Sequence, residues 1–110
     1  MAKLATITFT GAGGQEYEFD VYSFDADFTN IGAVYFVTKR TLKAEGGGTH
    51  TYIYIGQTDD LSTRFYNHHK AECFEREEAN CICIHPEDNE QSRLEIESDL
   101  LRNYDPPCND

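Results

Sequence analysis

The chain has 110 residues, the size of one small domain with one modest core. It carries 9 basic and 20 acidic side chains, a formal net charge of −11, and no apolar run approaches the roughly 20 residues of a membrane span. These features argue against a helical membrane span and against a uniformly basic surface for binding nucleic acid.

The first 30 residues predict a β-hairpin. Residues 4–10 and 16–23 alternate between apolar and polar side chains, and residues 11–14 contain three glycines that indicate a turn. We expect this hairpin, residues 1–30, to extend the sheet of a domain spanning residues 31–110, the two together forming one compact unit.

Two further strands, Ala33–Lys39 and Thr51–Gly56, are rich in residues that favour β-structure. Residues 38–49 contain three cations and three glycines, which predicts a flexible basic loop between the two strands. Because side chains alternate along a strand, we expect Tyr52 and Tyr54 to point to the same side of the sheet.

The remaining segments predict two helices and one strand. Asp59 or Asp60 can cap a helix that runs to about Phe74, which places Arg64 and His68 one turn apart on one side. A short strand is expected over residues 80–85 and a last helix over residues 90–104. This order of elements predicts an α+β fold, with a small antiparallel sheet flanked by helices.

Glu97 is the most informative residue of the last helix. Four large side chains define one apolar sector of this helix: Leu94, Leu100, Leu101 and Tyr104. Glu97 falls near the middle of that sector, where a carboxylate is costly unless it pairs with an arginine or holds a cation. Glu95 and Asp99 fall outside the sector and are expected to be ordinary surface acids.

The four cysteines are Cys73, Cys81, Cys83 and Cys108. No basic region followed by an apolar stretch marks a secretory signal, so we expect a cytoplasmic location and buried free thiols rather than disulfides. A zinc site is the alternative, and its candidate ligands are His68, His69, Cys73, Cys81 and Cys83, although their spacing is not that of paired zinc knuckles.

The chain resembles the GIY-YIG nuclease family over roughly residues 31 to 109. Ala33-Val34-Tyr35 stands where that family has Gly-Ile-Tyr, and Tyr54-Ile55-Gly56 matches the second half of the name. Arg64, His68, Glu97 and Asn109 follow in the expected order, and five spaced elements are stronger evidence than one short motif. Two positions depart from the family, since Ala33 replaces a glycine and Gln57 stands where some members carry a lysine.

The resemblance implies a divalent-metal-dependent endonuclease. In that reading Glu97 binds Mg²⁺ or Mn²⁺, Arg64 neutralises phosphate charge, and Tyr35 is the leading candidate to activate the attacking water. Tyr54 and His68 are the alternates for proton transfer, and Asn109 orients the site by hydrogen bonding. The expected substrate is structured or damaged DNA rather than RNA.

The charge distribution suggests where nucleic acid would bind. Residues 31–70 carry a net charge of +2, whereas the segments before and after carry −4 and −9. Four cations of this central segment are the candidates for phosphate contacts: Lys39, Arg40, Lys43 and Lys70. A protein partner that supplies specificity is a further expectation, and a membrane partner is not. The alternative function is a catalytically weak or inactive binding module that acts with such a partner.

Overall fold

The computed structural model describes residues 3–46, 48–65 and 68–109, and it has the predicted α+β architecture. The elements are β1 Ala5–Thr10, β2 Glu16–Ser23, β3 Ala33–Leu42, β4 Gly48–Thr58, α1 Leu61–Arg64, α2 Ala71–Arg76, β5 Cys81–Pro86, α3 Glu90–Leu101 and a terminal 3-10 turn, Pro107–Asn109. The strands form one antiparallel sheet in the order β1-β2-β5-β3-β4.

The N-terminal hairpin extends the sheet as predicted. β1 pairs with β2, and β2 pairs with β5, which in turn pairs with β3. Gly14, in the turn between β1 and β2, has a φ of +88°, a conformation that glycine adopts without steric cost.

The two faces of the sheet carry separate apolar clusters. The first, here called the α1–α2 cluster, contains Tyr35 of β3, Leu61 of α1 and Phe74 of α2. The second, here called the α3 cluster, contains Phe36 of β3 and Leu100 of α3. Consecutive residues of β3 therefore point to opposite faces, as expected for a strand buried on both sides.

A β-bulge in the β3–β4 pairing separates the two tyrosines of β4. Val37 pairs with Tyr54 but Thr38 pairs with Tyr52, which leaves Ile53 as the extra residue. Tyr54 consequently joins the α1–α2 cluster, while the Tyr52 ring packs against Tyr104 on the other face at 4.8 Å between centroids. The prediction that Tyr52 and Tyr54 share a side is wrong, because one inserted residue reverses the side from that point on.

The predicted single helix from Asp60 to Phe74 is also wrong, because α1 ends at Arg64 and α2 begins only at Ala71. Asp60 does cap α1, accepting a hydrogen bond from the Ser62 backbone N–H at 2.9 Å. No helix in the described ranges is long and apolar enough to cross a membrane.

The β3–β4 hairpin is longer than predicted and its loop is shorter. β3 continues to Leu42 and β4 begins at Gly48, so Lys39 and Arg40 lie in a strand rather than in a flexible loop. The last helix, predicted over residues 90–104, ends at Leu101.

The predicted apolar sector of α3 is wrong. Leu94 and Leu101 are 42% and 37% exposed, and the buried side chains of this helix are those of Arg93, Asp99 and Leu100. The apolar pattern predicted the wrong buried face because Leu94 and Leu101 face solvent. Arg93 and Asp99 are buried instead, since both have hydrogen-bond partners there.

Asp99 fastens the N-terminal hairpin to α3 and is not the surface acid predicted. Its carboxylate accepts hydrogen bonds from the Gly13 backbone N–H at 3.0 Å and from the Tyr17 hydroxyl at 2.8 Å. The bond from Gly13, followed by that from Tyr17, holds the pKa of Asp99 below its ordinary value. A Cβ atom at Gly11 would collide with this carboxylate, so the turn requires glycine there.

Cys73 and Cys108 form a disulfide, and the prediction of free thiols is wrong for these two residues. Cys81 and Cys83 are free and buried, as predicted. The disulfide joins α2 to the terminal 3-10 turn across 35 residues of sequence. Disulfides persist mainly in oxidising compartments, so this bond is at odds with the reasoning that led to a cytoplasmic location.

Candidate active site

The hydroxyl of Tyr35 is the centre of a polar cluster on the α1–α2 face. The Arg64 Nε–H donates to this hydroxyl at 2.9 Å, and His68 Nε2 lies 2.8 Å from it. The Tyr35 side chain is fully buried and His68 is 6% exposed. The sequence series therefore brings Tyr35, Arg64 and His68 together, although His68 lies outside the helix in which it was expected.

The proton of His68 lies on Nε2, because the Lys70 backbone N–H donates to Nδ1 at 3.1 Å. Burial, followed by the positive charge of Arg64, lowers the pKa of His68 to about 4, so the ring is neutral near pH 7. Nε2–H thus donates to the Tyr35 oxygen. That oxygen accepts from both Arg64 and His68, and its own proton points elsewhere.

Tyr54 is the tyrosine nearer to solvent. It is 8% exposed, and its ring lies 6.0 Å from the Tyr35 ring between centroids. The charge of Arg64 acts on its hydroxyl group. Burial raises the pKa of both tyrosines, and the Arg64 charge opposes that rise.

Gly56 makes room for both rings. It pairs directly with Tyr35 across β3 and β4. A Cβ atom at Gly56 would lie 2.6 Å from the Tyr35 hydroxyl oxygen and 2.8 Å from a ring carbon of Tyr54. The glycine of the Tyr-Ile-Gly segment is therefore a packing requirement of the tyrosine pair.

Glu97 lies on the same cluster from the side of α3. Its carboxylate interacts electrostatically with Arg64, Tyr35 and Tyr54. Partial burial raises the pKa of Glu97, and the Arg64 charge only partly opposes this. Within residues 3–46, 48–65 and 68–109, no side chain or backbone group forms a hydrogen bond or an ion pair with this carboxylate.

Asn109 acts on the backbone of β4. Its side-chain oxygen accepts from the Ile55 N–H at 2.9 Å, and its amide nitrogen donates to the Ile55 carbonyl at 2.8 Å. The two bonds fasten the terminal 3-10 turn beside Tyr54 and Gly56. Asn109 thus bonds to the backbone of β4 and not to the Arg64 or Glu97 side chain.

Arg93 is the structural residue that the sequence reasoning missed. It is 3% exposed, its Nε donates to Gln57 Oε1 at 3.0 Å, and its Nη1 donates to the Glu87 and Asp88 carbonyls at 3.0 and 2.9 Å. Arg93 lies one helical turn before Glu97, and its bond to Gln57 holds that face of α3 towards β4. The helical spacing of Arg93, Glu97 and Leu100 was the sequence pattern that indicated the buried face of α3. The pattern of Leu94 and Leu101, which are exposed, pointed to a different face.

The four candidate nucleic-acid-binding cations do not gather around Tyr35. Lys39 forms an ion pair with Glu78 at 2.9 Å, and Arg40 lies in β3 where its backbone N–H donates to Asn80. At about 3.3 Å per residue, Lys39 and Lys43 lie roughly 13 and 26 Å along the hairpin from Tyr35. Lys70 is the one of these four cations that lies next to the cluster around Tyr35, because its backbone N–H donates to His68 Nδ1.

No group of three or more His, Cys, Asp or Glu side chains in the described part of the chain could hold a metal ion. The zinc alternative also loses Cys73, which is oxidised in the disulfide and cannot ligate as a thiolate.

Comparisons with protein-family models, with curated proteins and with solved structures found no match.

Proposed function

We propose that the protein is a divalent-metal-dependent endonuclease of the GIY-YIG type, which hydrolyses phosphodiester bonds in structured or damaged DNA. The observation that carries the proposal is the position of Glu97. This partly buried carboxylate, which forms no hydrogen bond or ion pair in the described part of the chain, interacts electrostatically with Arg64, Tyr35 and Tyr54. An arginine, a carboxylate and hydroxyl groups at one place provide the charges that phosphodiester hydrolysis requires.

The donor set at Glu97 suits Mg²⁺ or Mn²⁺. Mg²⁺ is usually bound by one or two carboxylates together with water and phosphate oxygens, so three protein ligands are not needed. Burial without a hydrogen-bond partner makes the Glu97 charge costly, and a cation would offset that cost. When bound, the metal would supply positive charge at the phosphate and lower the pKa of a water molecule.

Arg64 is suited to neutralise charge on the phosphate. Its Nε–H is engaged by Tyr35, which fixes the plane of the guanidinium group. A guanidinium group held in this way can present its remaining N–H groups to phosphate oxygens without further ordering.

Tyr54 is the better candidate than Tyr35 for proton transfer to or from the substrate. Tyr35 has no exposed surface, whereas Tyr54 is 8% exposed. Burial raises the pKa of Tyr54, and the positive charge of Arg64 opposes that rise and would stabilise a phenolate there. Both nitrogens of His68 are occupied, so His68 holds Tyr35 in place and is poorly suited to accept a proton.

The alternative function, an inactive binding module, draws on one specific observation. Glu78 neutralises Lys39, one of the few cations of a chain whose net charge is −11. Weak attraction to phosphate would then favour a task in which a protein partner provides most of the binding energy.

Cleavage of a panel of labelled DNAs decides between the two functions. The panel contains single strands, duplexes, flaps, branched junctions and an abasic duplex, each with Mg²⁺ or Mn²⁺. The nuclease predicts cleavage of at least one structured DNA, and loss of this cleavage in Glu97→Ala. If the protein binds DNA from the panel but cleaves none of it, the nuclease is contradicted and the inactive binding module is supported.

A further inference from the structure

A cavity of about 300 Å³ opens beside His68, among residues of the α1–α2 cluster. Its aromatic walls are Phe24, Phe65 and Phe74, with His68 between them. Ala71, Ala79 and the exposed Glu75 complete the lining. The cavity is at the lower end of the size range of small-molecule sites.

The aromatic rings that line the cavity pack against one another in several orientations. The Phe65 ring lies nearly parallel to the His68 ring, with centroids 5.8 Å apart and planes 14° apart. The Phe74 ring lies 4.8 Å from the His68 ring, and the Phe24 ring lies 6.1 Å from Phe74. A lining made of aromatic side chains favours a planar aromatic guest, because such a guest can stack on a ring or meet its edge.

The polar groups of the cavity narrow the chemistry of the guest. Glu75 contributes a carboxylate, which can only accept hydrogen bonds when ionised. A planar ring bearing an amino group satisfies both the aromatic walls and this acceptor. Cytosine, adenine and guanine all carry an exocyclic amino group, whereas thymine has none, and N4 of cytosine is the amino group that carboxylates commonly contact. Cytosine is also the smaller ring system, which suits a cavity at the lower end of the size range.

His68 is shared between this cavity and the tyrosine cluster, since its Nε2 lies 2.8 Å from the Tyr35 hydroxyl. We propose that the cavity binds an unpaired nucleobase, with cytosine preferred over thymine, next to the phosphate that Arg64 contacts. This inference rests on the proposed function for the phosphate and specifies the substrate as DNA with a base outside the stack. Stacking on aromatic side chains is the general means by which proteins hold such bases.

The first test measures the cavity alone, without cleavage. Deoxycytidine and thymidine are titrated into the ¹⁵N-labelled protein, and the amide resonances of Ala71 and Ala79 are followed. Deoxycytidine is expected to shift both resonances with a dissociation constant on the order of millimolar, more tightly than thymidine. Phe24→Leu, which keeps an apolar side chain without a ring, should weaken the binding, and Glu75→Gln should reduce the preference for deoxycytidine. No shift at Ala71 and Ala79 with either nucleoside overturns the proposal.

The second test uses DNA and separates this proposal from the proposed function. Binding of Glu97→Gln protein is compared for a duplex with one extrahelical cytosine and for the same duplex with an abasic residue at that position. The extrahelical cytosine should bind roughly 5- to 100-fold more tightly, and Phe24→Leu should abolish this difference without changing binding to the fully paired duplex. Equal affinities for the two DNAs overturn the proposal, whereas the proposed function stands if wild-type protein still cleaves. Binding of deoxycytidine by a protein that cleaves no DNA contradicts the nuclease and retains the cavity.

Discussion

Gly56 lies directly opposite Tyr35 in the β3–β4 pairing, and the two tyrosine side chains leave no room for a side chain at residue 56. A Cβ atom at this position would lie 2.6 Å from the Tyr35 hydroxyl oxygen. Tyr35 is fully buried and bonded to two partners, so it cannot move aside without breaking the bonds from Arg64 and His68. The position of the whole polar cluster therefore depends on one missing methyl group.

Gly56→Ala is expected to destabilise the protein by about 1–3 kcal/mol, the usual cost of overpacking a filled core. The matched control is Gly13→Ala, because a Cβ at Gly13 would meet only ordinary van der Waals contact, 3.5 Å from Asp99. Urea unfolding of the two variants measures the difference. Equal stability of the two would mean that the tyrosine pair tolerates the methyl group.

His68 should make stability depend on pH. Its pKa falls from 6.5 to about 4 on folding, so the unfolded chain binds the proton more readily. The contribution of neutral His68 to the free energy of unfolding is fully present above pH 6.5. It is lost as the pH falls from about 6.5 to about 4, and the loss is at most about 3 kcal/mol. Unfolding free energies of wild type and of His68→Gln, measured at several pH values, isolate this contribution because the carboxylates are common to both. Parallel profiles would show that His68 titrates normally in the folded protein.

The Cys73–Cys108 disulfide should hold the terminal turn against β4. Closing a loop of this length typically stabilises a protein by about 2–4 kcal/mol. Reductant is therefore expected to lower the melting temperature of wild type and to leave Cys73→Ala unaffected. Hydrogen exchange at Ile55, whose N–H donates to Asn109, should become faster on reduction. Unchanged exchange at Ile55 would show that Asn109 holds the turn without the disulfide.

Arg64 and the hairpin cations should affect different steps. Arg64→Ala is expected to reduce the single-turnover cleavage rate more than the affinity for DNA, because its charge acts on the transition state. Arg40→Ala with Lys43→Ala should weaken binding and lower its salt dependence by releasing fewer counterions, with little effect on the rate of the bound complex. Binding curves at two salt concentrations and rates at saturating protein provide the comparison. Small, equal effects in both proteins would remove Arg64 from the catalytic group.

The sequence predicted the strands, and which side chains cluster around Tyr35, better than it predicted local geometry. Alternation predicted the N-terminal hairpin, and residues that favour β-structure predicted β3 and β4. Of the spaced series, Tyr35, Arg64 and His68 are joined by hydrogen bonds, and Tyr54 and Glu97 interact electrostatically with Arg64. Spacing within one element predicted the direction of a side chain less reliably where tertiary contacts interrupted the regular strand or helix. The bulge at Ile53 turns the Tyr52 side chain to the opposite face of the sheet. His68 lies between α1 and α2, where it bonds to Tyr35 and Lys70.

The buried polar side chains of α3 illustrate a second limit. Hydrophobic pattern predicted that Leu94 and Leu101 would be buried and Asp99 exposed, and the reverse holds. Asp99 is buried because Gly13 and Tyr17, more than 80 residues away in sequence, donate hydrogen bonds to it. Partners that distant cannot be read from the helix itself.

The most direct test of the nuclease compares Glu97→Gln with Glu95→Gln in single-turnover cleavage of the best DNA from the panel, with Mg²⁺. Both changes remove one negative charge from α3, but Glu95 is exposed and accepts a hydrogen bond from Gln91 of its own helix, whereas Glu97 interacts with Arg64. We predict a rate loss of at least about 100-fold for Glu97→Gln, the order of magnitude for one electrostatic group in catalysis, and a near wild-type rate for Glu95→Gln. Equal rates for the two variants would contradict the assignment of Glu97 as the metal ligand, and with it the proposed reaction.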